Sequence, residues 1–544
     1  MSTAPTHSLA PSSTRVMNLA HFVTQARLRG PDEIALVWRD RTWSWAEFEA
    51  RIDAMAAALQ DLGVVKGDRM LVQSQNCNQM FEAMFACFRV GAVYVPTNFR
   101  QTPEEVAFQA RISGAKGLIC NEIFPDHAVA AGDVGFRIVI GNADWGQSFD
   151  ALVQANMGRK PAEVAVDRDD PCWFFFTSGT TGKPKASVLT HGQMGFVVTN
   201  HLCDLMPGLT RADASLVVAP LSHGAGVHQL TQVARGVKTV LMPSERFDVA
   251  TAWELIERWR VSTMFTVPTI LKMMIEDPSV DGFDHSSLRY VIYAGAPMFR
   301  EDQKRAMAAL GPVLVQYYGL GEVTGAITVL PPDHHHADDG PDVRLATCGF
   351  DRTGMQLQVQ RADGSPCDPH ETGVVCAIGP AVFAGYYNNP EANAKSFRNG
   401  WFLTGDLGYV DDQGFLFLTG RESDMFISGG SNIYPREIEE KILQHPAISE
   451  VAVLGVPDPF WGEIGYAVFA VTPGQSVTEE ELAAFTAAKV ARYKQPKRFI
   501  QWEALPKSAY GKITKKMRTG CAAARPERRG ALGQLHAEWR DRAP

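Results

Sequence analysis

The stretch that most constrains this chain is Phe176-Thr177-Ser178-Gly179-Thr180-Thr181-Gly182-Lys183-Pro184-Lys185. Before it, Cys172 to Phe176 is an apolar and aromatic run that reads as a buried strand. After it, Ser187 to Thr190 resumes strand character, and His191-Gly192 lead towards a helix. Gly179 and Gly182 permit backbone shapes that a Cβ would forbid, so that amides can converge on an anion. Ser178, Thr180 and Thr181 add hydroxyl donors, and Lys183 and Lys185 add positive charge. The combination reads as a phosphate grip. It is not the common P-loop, which spaces its glycines more widely and follows its lysine with Ser or Thr. Here Pro184 follows Lys183.

The run Thr177 to Lys185 resembles the phosphate loop of the adenylate-forming enzymes, the superfamily of acyl-CoA synthetases, luciferases and peptide-synthetase adenylation domains. Further stretches carry the same resemblance in the family's order. They are the turn around His223, the Ala294-Gly295-Ala296-Pro297 turn, Tyr317-Tyr318-Gly319-Leu320-Gly321-Glu322, Thr404-Gly405-Asp406, Gly420 to Glu439, and the basic loop ending in Gly511-Lys512. The resemblance covers nearly the whole chain.

Composition is compatible with that resemblance. A chain of 544 residues with 45% hydrophobic and 21% charged residues can build a large core. A net charge of −8 argues against nucleic acid as the main partner. The nine cysteines are scattered and lack C-x-x-C spacing, which points to a reduced, cytosolic compartment and no zinc site. Met1 to Arg15 is rich in Ser, Thr and Pro and reads as a flexible tail rather than a leader peptide. No apolar run is long enough to span a bilayer. The cytoplasm is the expected location, and a homodimer is one of the assembly states left open.

The chain in order reads as α/β. Ser44 to Leu62 is a helix by its apolar stripe Phe48, Ile52, Met55, Leu59 and Leu62, with a Ser44/Glu47 capping box and Gly63 at its end. Strands at Arg69–Gln73, 92–96 and 117–120 alternate with helices at 79–89 and 102–113, which implies a mainly parallel sheet. Gly158 to Asp170 is a polar connection. A strand ends at Pro220, placing His223 in a small-residue turn where Gly224, Ala225 and Gly226 leave room for a ligand. Arg289 to Pro297 is a strand running into a tight turn. Pro331 to Asp339, with its three consecutive histidines, tempts a metal assignment, but neighbouring side chains diverge and rarely converge on one ion, and the surrounding Pro, Gly and Asp read as a solvated loop. The C-terminal part reads as helix 435–444, strands 451–456 and 466–471, and helix 479–492. The Arg-rich tail carries a short helix around 532–540.

The expected fold is therefore a large multi-subdomain N-terminal α/β domain with a small mobile C-terminal α/β lid. The boundaries are a tail at 1–15, an adenylation domain at 16–420, a hinge at 421–424, the lid at 425–520 and a tail at 521–544. The resemblance implies an ATP-dependent, AMP-forming acyl-CoA ligase that works through an acyl-adenylate, with Mg²⁺ as cofactor and ATP and coenzyme A as co-substrates. It implies that Thr177, Ser178, Gly179, Thr180, Thr181, Gly182, Lys183 and Lys185 hold phosphates. It places His223 beside the reacting carboxylate, and Gly295 and Ala296 at the nucleotide and acyl pocket. Tyr317 and Gly319 flank Tyr318, which takes the adenine-stacking position. Glu322 takes the Mg²⁺ position, Asp406 the ribose position and Arg421 a nucleotide contact. Gly429 and Gly430 line the pantetheine tunnel, and Lys512 neutralises the α-phosphate.

Two positions depart from the family pattern. Gly321 stands where Thr is usual, and Ser423 where the hinge residue is often Asp or Lys. Two alternatives stay open: an enzyme loading an acyl group onto a carrier protein, and a nucleotide-binding sensor without turnover. No carrier domain is expected beyond residue 520. The substrate is left open between an aryl acid, a medium-chain acid and a short functionalised acid; His228 and Thr324 would suit a polar tail.

Overall fold

The computed structural model describes residues 14–162, 164–177, 184–244, 246–296, 298, 300–340, 343–421, 424–428, 431–507 and 513. The chain forms two compact units. The first holds the described residues up to Phe265 together with Gly321–Thr324 and Pro380–Pro390. The second holds Thr266–Leu320, Gly325–Gly379 and the described residues from Glu391 onwards.

The first unit contains a seven-stranded sheet in the order Lys185–Thr190, Pro171–Thr177, Val93–Thr97, Arg69–Gln73, Gly117–Asn121, Phe136–Ile140 and Gln147–Ser148. All its neighbours are parallel except the first pair, which is an antiparallel hairpin. The helix expected at 44–62 runs Trp45–Asp61, with Ser44 as N-cap and the Ser44/Glu47 capping box complete. A second capping box, Thr102/Glu105, opens Pro103–Ser113. In the same unit the parallel strands Thr263–Thr266, Ala214–Val217, Lys238–Leu241 and Ile34–Trp38 pair in that order, and Arg41–Ser44 closes the edge antiparallel.

A file of rings runs through this core. Phe48 meets Phe81 at 5.3 Å, and Phe81, Phe85, Phe88 and Tyr94 follow. Tyr94 lies 5.0 Å from Trp173, Trp173 lies 6.3 Å from Phe175, and Phe175 lies 4.4 Å from His223. The aromatic pattern of the sequence thus supplies a close-packed path to one site residue.

In the second unit Tyr290–Tyr293 and Leu314–Tyr318 are parallel neighbours, and Thr328–Leu330 returns antiparallel beside Leu314–Tyr318. A five-stranded antiparallel sheet follows, with Trp401–Val410 paired to both Gly373–Ile378 and Leu416–Arg421. The last sheet is built on the long hairpin Ile448–Asp458 and Gly462–Val471. Helices Pro435–Ile442 and Glu479–Ala487 contribute Ile438, Ile442 and Leu482 to a core with Val453 and Phe469 from that hairpin.

Two expectations are corrected. The helix foreseen over 479–492 stops at Ala487, with Ala488 as its C-cap, and a short 3₁₀ turn takes Arg492–Lys494. The histidine loop is not wholly solvated. His335 is 5% exposed. Its Nδ1 lies 2.9 Å from the Pro331 carbonyl oxygen and its Nε2 lies 3.0 Å from the Tyr293 hydroxyl. Both ring nitrogens are engaged with protein, and burial pushes the imidazole pKa down to about 4. No helix among the described residues is long and apolar enough to cross a membrane.

Candidate active site

Each compact unit carries one group of the residues singled out in the sequence. In the first unit, Thr177 and Lys185 face each other as the last rung of the antiparallel hairpin. The phosphate-loop sequence therefore springs from two fixed, opposed ends. Thr177 Oγ1 donates to Glu322 Oε1 at 2.8 Å, and the Tyr386 hydroxyl donates to the same oxygen at 2.9 Å. The Glu322 carbonyl accepts the Phe383 N–H at 2.8 Å, which holds the backbone as well. Lys185 Nζ lies over the Tyr386 ring, 4.7 Å from its centre.

Glu322 is 4% exposed. Its Oε2 is buried with no hydrogen-bond partner among the described residues. Leaving such an atom unmet costs about 1–3 kcal/mol, and more when it is charged. A hard cation is the partner that a bare carboxylate oxygen suits best. Among the described residues no group of three or more His, Cys, Asp or Glu could hold a metal. Mg²⁺ commonly takes one or two carboxylates and completes its shell with substrate phosphates and water, a demand that the single oxygen Oε2 suits.

The Gly321 departure has a steric reason in the same unit. A Cβ at 321 would stand 2.6 Å from Phe175 Cδ1 and 2.8 Å from Thr177 Cγ2. Phe175, whose ring lies tilted beside His223, fills the space a threonine side chain would need. Three residues on, the Thr324 N–H donates to the Gly321 carbonyl at 3.2 Å. Thr324 has φ 49°, a left-handed conformation that a β-branched residue adopts at a cost of roughly 1–2 kcal/mol.

His223 is the N-cap of helix Gly224–Ala234. The expectation that Gly226 leaves room for a ligand is corrected. A Cβ there would stand 2.1 Å from the Leu221 carbonyl oxygen and 2.9 Å from the Trp173 ring, so packing against protein requires this glycine.

In the second unit, the strand register sets Asp406 opposite Arg421. Arg421 Nε donates to Asp406 Oδ1 at 3.1 Å, and the Tyr318 hydroxyl donates to Oδ2 at 2.6 Å. Burial and the neighbouring Asp406 charge both raise the Tyr318 pKa, keeping its hydroxyl protonated as a donor. Asp406 is itself 6% exposed, and its N–H donates to Thr404 Oγ1 at 3.0 Å. Gly319 packs against the Gly325 backbone, where a Cβ would come within 2.6 Å. Gly325 in turn packs against the Tyr317 ring at a position where a Cβ would come within 2.2 Å. Gly295, at φ 84°, is needed for its backbone conformation rather than by crowding, and Ala296 follows it in the turn.

Ser178, Gly179, Thr180, Thr181, Gly182, Lys183, Ser423, Gly429, Gly430 and Lys512 lie outside the described residues. Sequence reasoning missed Tyr386 and Phe175. Tyr386 stands in Gly385-Tyr386-Tyr387-Asn388, where nothing local announces a carboxylate partner 64 residues away.

A family model for the AMP-binding enzyme matches residues 22–387, and one for the AMP-binding enzyme C-terminal domain matches residues 437–512. The chain belongs to the AMP-binding enzyme family. It is 34% identical over 500 residues to a feruloyl-CoA synthase of an Amycolatopsis species, covering 91% of this chain and 96% of that protein. The o-succinylbenzoate CoA synthetase of Bacillus subtilis in complex with its acyl-adenylate intermediate superposes with a TM-score of 0.82 at 30% identity, over 94% of this chain and 99% of that one. The same enzyme in complex with ATP and a magnesium ion gives 0.81 at 31% identity, over 92% and 99%. The fold is the family's large N-terminal α/β domain with a small C-terminal domain. The protein is an AMP-forming acid–CoA ligase that activates a carboxylic acid through an acyl-adenylate and passes the acyl group to coenzyme A.

Proposed function

We propose that the substrate is an arylcarboxylic acid, and that its activation uses Mg²⁺ held at Glu322. The observation that carries the metal assignment is the bare, buried Oε2 of Glu322, oriented by Thr177 and Tyr386 on the other oxygen. The aryl assignment is supported by the feruloyl and succinylbenzoate chemistry in the names of the two relatives. The Phe175 ring, 4.4 Å from the His223 ring, supports it as well.

A carboxylate is a poor acyl donor because its leaving group would be oxide. In the first half-reaction a carboxylate oxygen of the acid bonds to the α-phosphorus of ATP, and pyrophosphate departs with its electron pair. In the second, the thiol sulfur of coenzyme A bonds to the acyl carbon, AMP departs and the thiol proton is released. Bound Mg²⁺ would neutralise phosphate charge. Thr177, Lys185 and the loop between them, including Ser178 to Lys183, hold the β- and γ-phosphates. Lys512 stabilises charge at the α-phosphate. Tyr318 stacks on adenine. Asp406 accepts from the ribose hydroxyls with the lone pairs that Tyr318 and Arg421 leave over. His223 lies beside the acid. Gly429 and Gly430 line the pantetheine path once the lid at 425–520 turns about the hinge at 421–424, a domain-closure mechanism of a known kind. The family-model boundaries and the separate core beyond residue 425 support that division.

The test is pyrophosphate release with ATP and Mg²⁺ across a panel of aryl, medium-chain and short acids, each with and without coenzyme A. The expected result is release with aryl acids and a matching aryl-CoA product. Release confined to aliphatic acids overturns the aryl assignment. Release without a thioester moves the reading to carrier-protein loading.

A further inference from the structure

Position 321 carries no side chain, and Thr324 closes the same turn through its N–H bond to the Gly321 carbonyl. Phe175 blocks any side chain at 321, with 2.6 Å between its ring and a Cβ placed there. Thr324, at the other end of the same turn, is 7% exposed. Its Oγ1 is buried and has no hydrogen-bond partner among the described residues. Buried hydroxyls are nearly always bonded, and an orphan marks a missing partner. The residue is also β-branched in a left-handed backbone conformation, at φ 49°, where glycine or asparagine would be easier. Strain of this kind persists where the surroundings or a role hold it in place. It shares its turn with Glu322, whose Oε2 is the other orphan.

We propose that Thr324 is a substrate-contacting residue. Its hydroxyl donates a hydrogen bond to an anionic oxygen of the bound reactants, a phosphate oxygen of ATP or the carboxylate of the acid. The inference rests on the adenylation site being the one built around Glu322.

The test compares Thr324→Ser, Thr324→Val and Thr324→Gly in the full-length protein. It reads kcat and KM for ATP and for the acid by pyrophosphate release, and Tm by thermal unfolding. Ser keeps the hydroxyl and is expected within about threefold of the parent. Val keeps the shape and Gly relieves the backbone. Both are expected to lose roughly 10- to 100-fold in kcat/KM, the size of a hydrogen bond to a charged group. For Gly that loss comes with an unchanged or raised Tm. A loss confined to ATP places the bond on a phosphate, and a loss confined to the acid places it on the carboxylate. Val and Gly variants with parental constants for both reactants overturn the inference while leaving the site assignment intact. So does a loss in Val that follows a fall in Tm and is absent in Gly. A parent protein that releases no pyrophosphate with any acid overturns the site assignment and the inference together.

Discussion

Glu322 and Asp406 are both carboxylates almost wholly removed from solvent, and each accepts a hydrogen bond from a tyrosine hydroxyl. They differ in what is left over. Asp406 has a protein donor on each oxygen, Tyr318 on one and Arg421 on the other. Among the described residues, Glu322 takes two donors on Oε1 and leaves Oε2 without a partner. A carboxylate satisfied on both sides is set in position by the protein alone. One satisfied on a single side is aimed by the protein and completed by something else. The proposed roles follow that difference: ligand hydroxyls for Asp406 and a cation for Glu322.

Removing the charge at Glu322 should break the comparison most severely. Glu322→Gln keeps the shape and the Oε1 contacts but loses the site's cation attraction. Pyrophosphate release is expected to fall by roughly 10²–10³-fold, as when a developing charge loses a preorganised partner. The expected Tm is unchanged or higher, because a buried bare anion has gone. Activity within a fewfold of the parent at saturating Mg²⁺ would show that Oε2 is bare for another reason.

Asp406→Asn should act on the opposite balance. Here the charge is matched by Arg421, so its loss costs stability as well as nucleotide affinity. A rise of about tenfold in the KM for ATP is expected together with a lower Tm, since neutralising the buried Asp406 leaves Arg421 without its counter-charge. Arg421 is half-exposed, which limits the stability effect to about 1 kcal/mol.

Acid should test the two units through their buried histidines. Burial lowers the pKa of His191 in the first unit and His335 in the second, each from 6.5 to about 4. In the unfolded chain both take up a proton near 6.5, whereas in the folded chain they stay neutral until about 4. Their contribution is therefore present above pH 6.5 and is lost as the pH falls through that window. Each contributes up to about 3 kcal/mol. Tm measured from neutral pH to pH 4 should fall, and His335→Gln should flatten the fall. A parallel fall in parent and variant would remove His335 from the account.

The smallest effect is expected from Tyr386→Phe, which leaves Glu322 Oε1 with Thr177 alone. A loss of about 1–2 kcal/mol in orientation should appear as a several-fold higher Mg²⁺ requirement in the pyrophosphate assay, with little change in the KM for the acid. An unchanged Mg²⁺ titration would assign the orienting role to Thr177.

What could be read in advance was local. The Ser44/Glu47 box and its apolar stripe mark a helix start because capping and periodicity are written within a few residues. Short motifs singled out Thr177, Tyr318, Glu322 and Asp406, and the structure joins Thr177 to Glu322 and Tyr318 to Asp406 by hydrogen bonds. Tyr386 and Phe175 were not legible, because their importance lies in partners far along the chain. Gly226 was read as space for a ligand, when the constraint is a carbonyl folded back from Leu221. His335 was read as solvated, because nothing in three consecutive histidines says which one turns inward to Tyr293.

Gly226 also bears on how such an enzyme can diverge. With the Leu221 carbonyl 2.1 Å from where a Cβ would stand, every single-nucleotide path to a larger residue at 226 passes through a clash between the first turn of the helix and the loop that leads into it. A change at 226 therefore has to follow a rebuilding of the loop at 221.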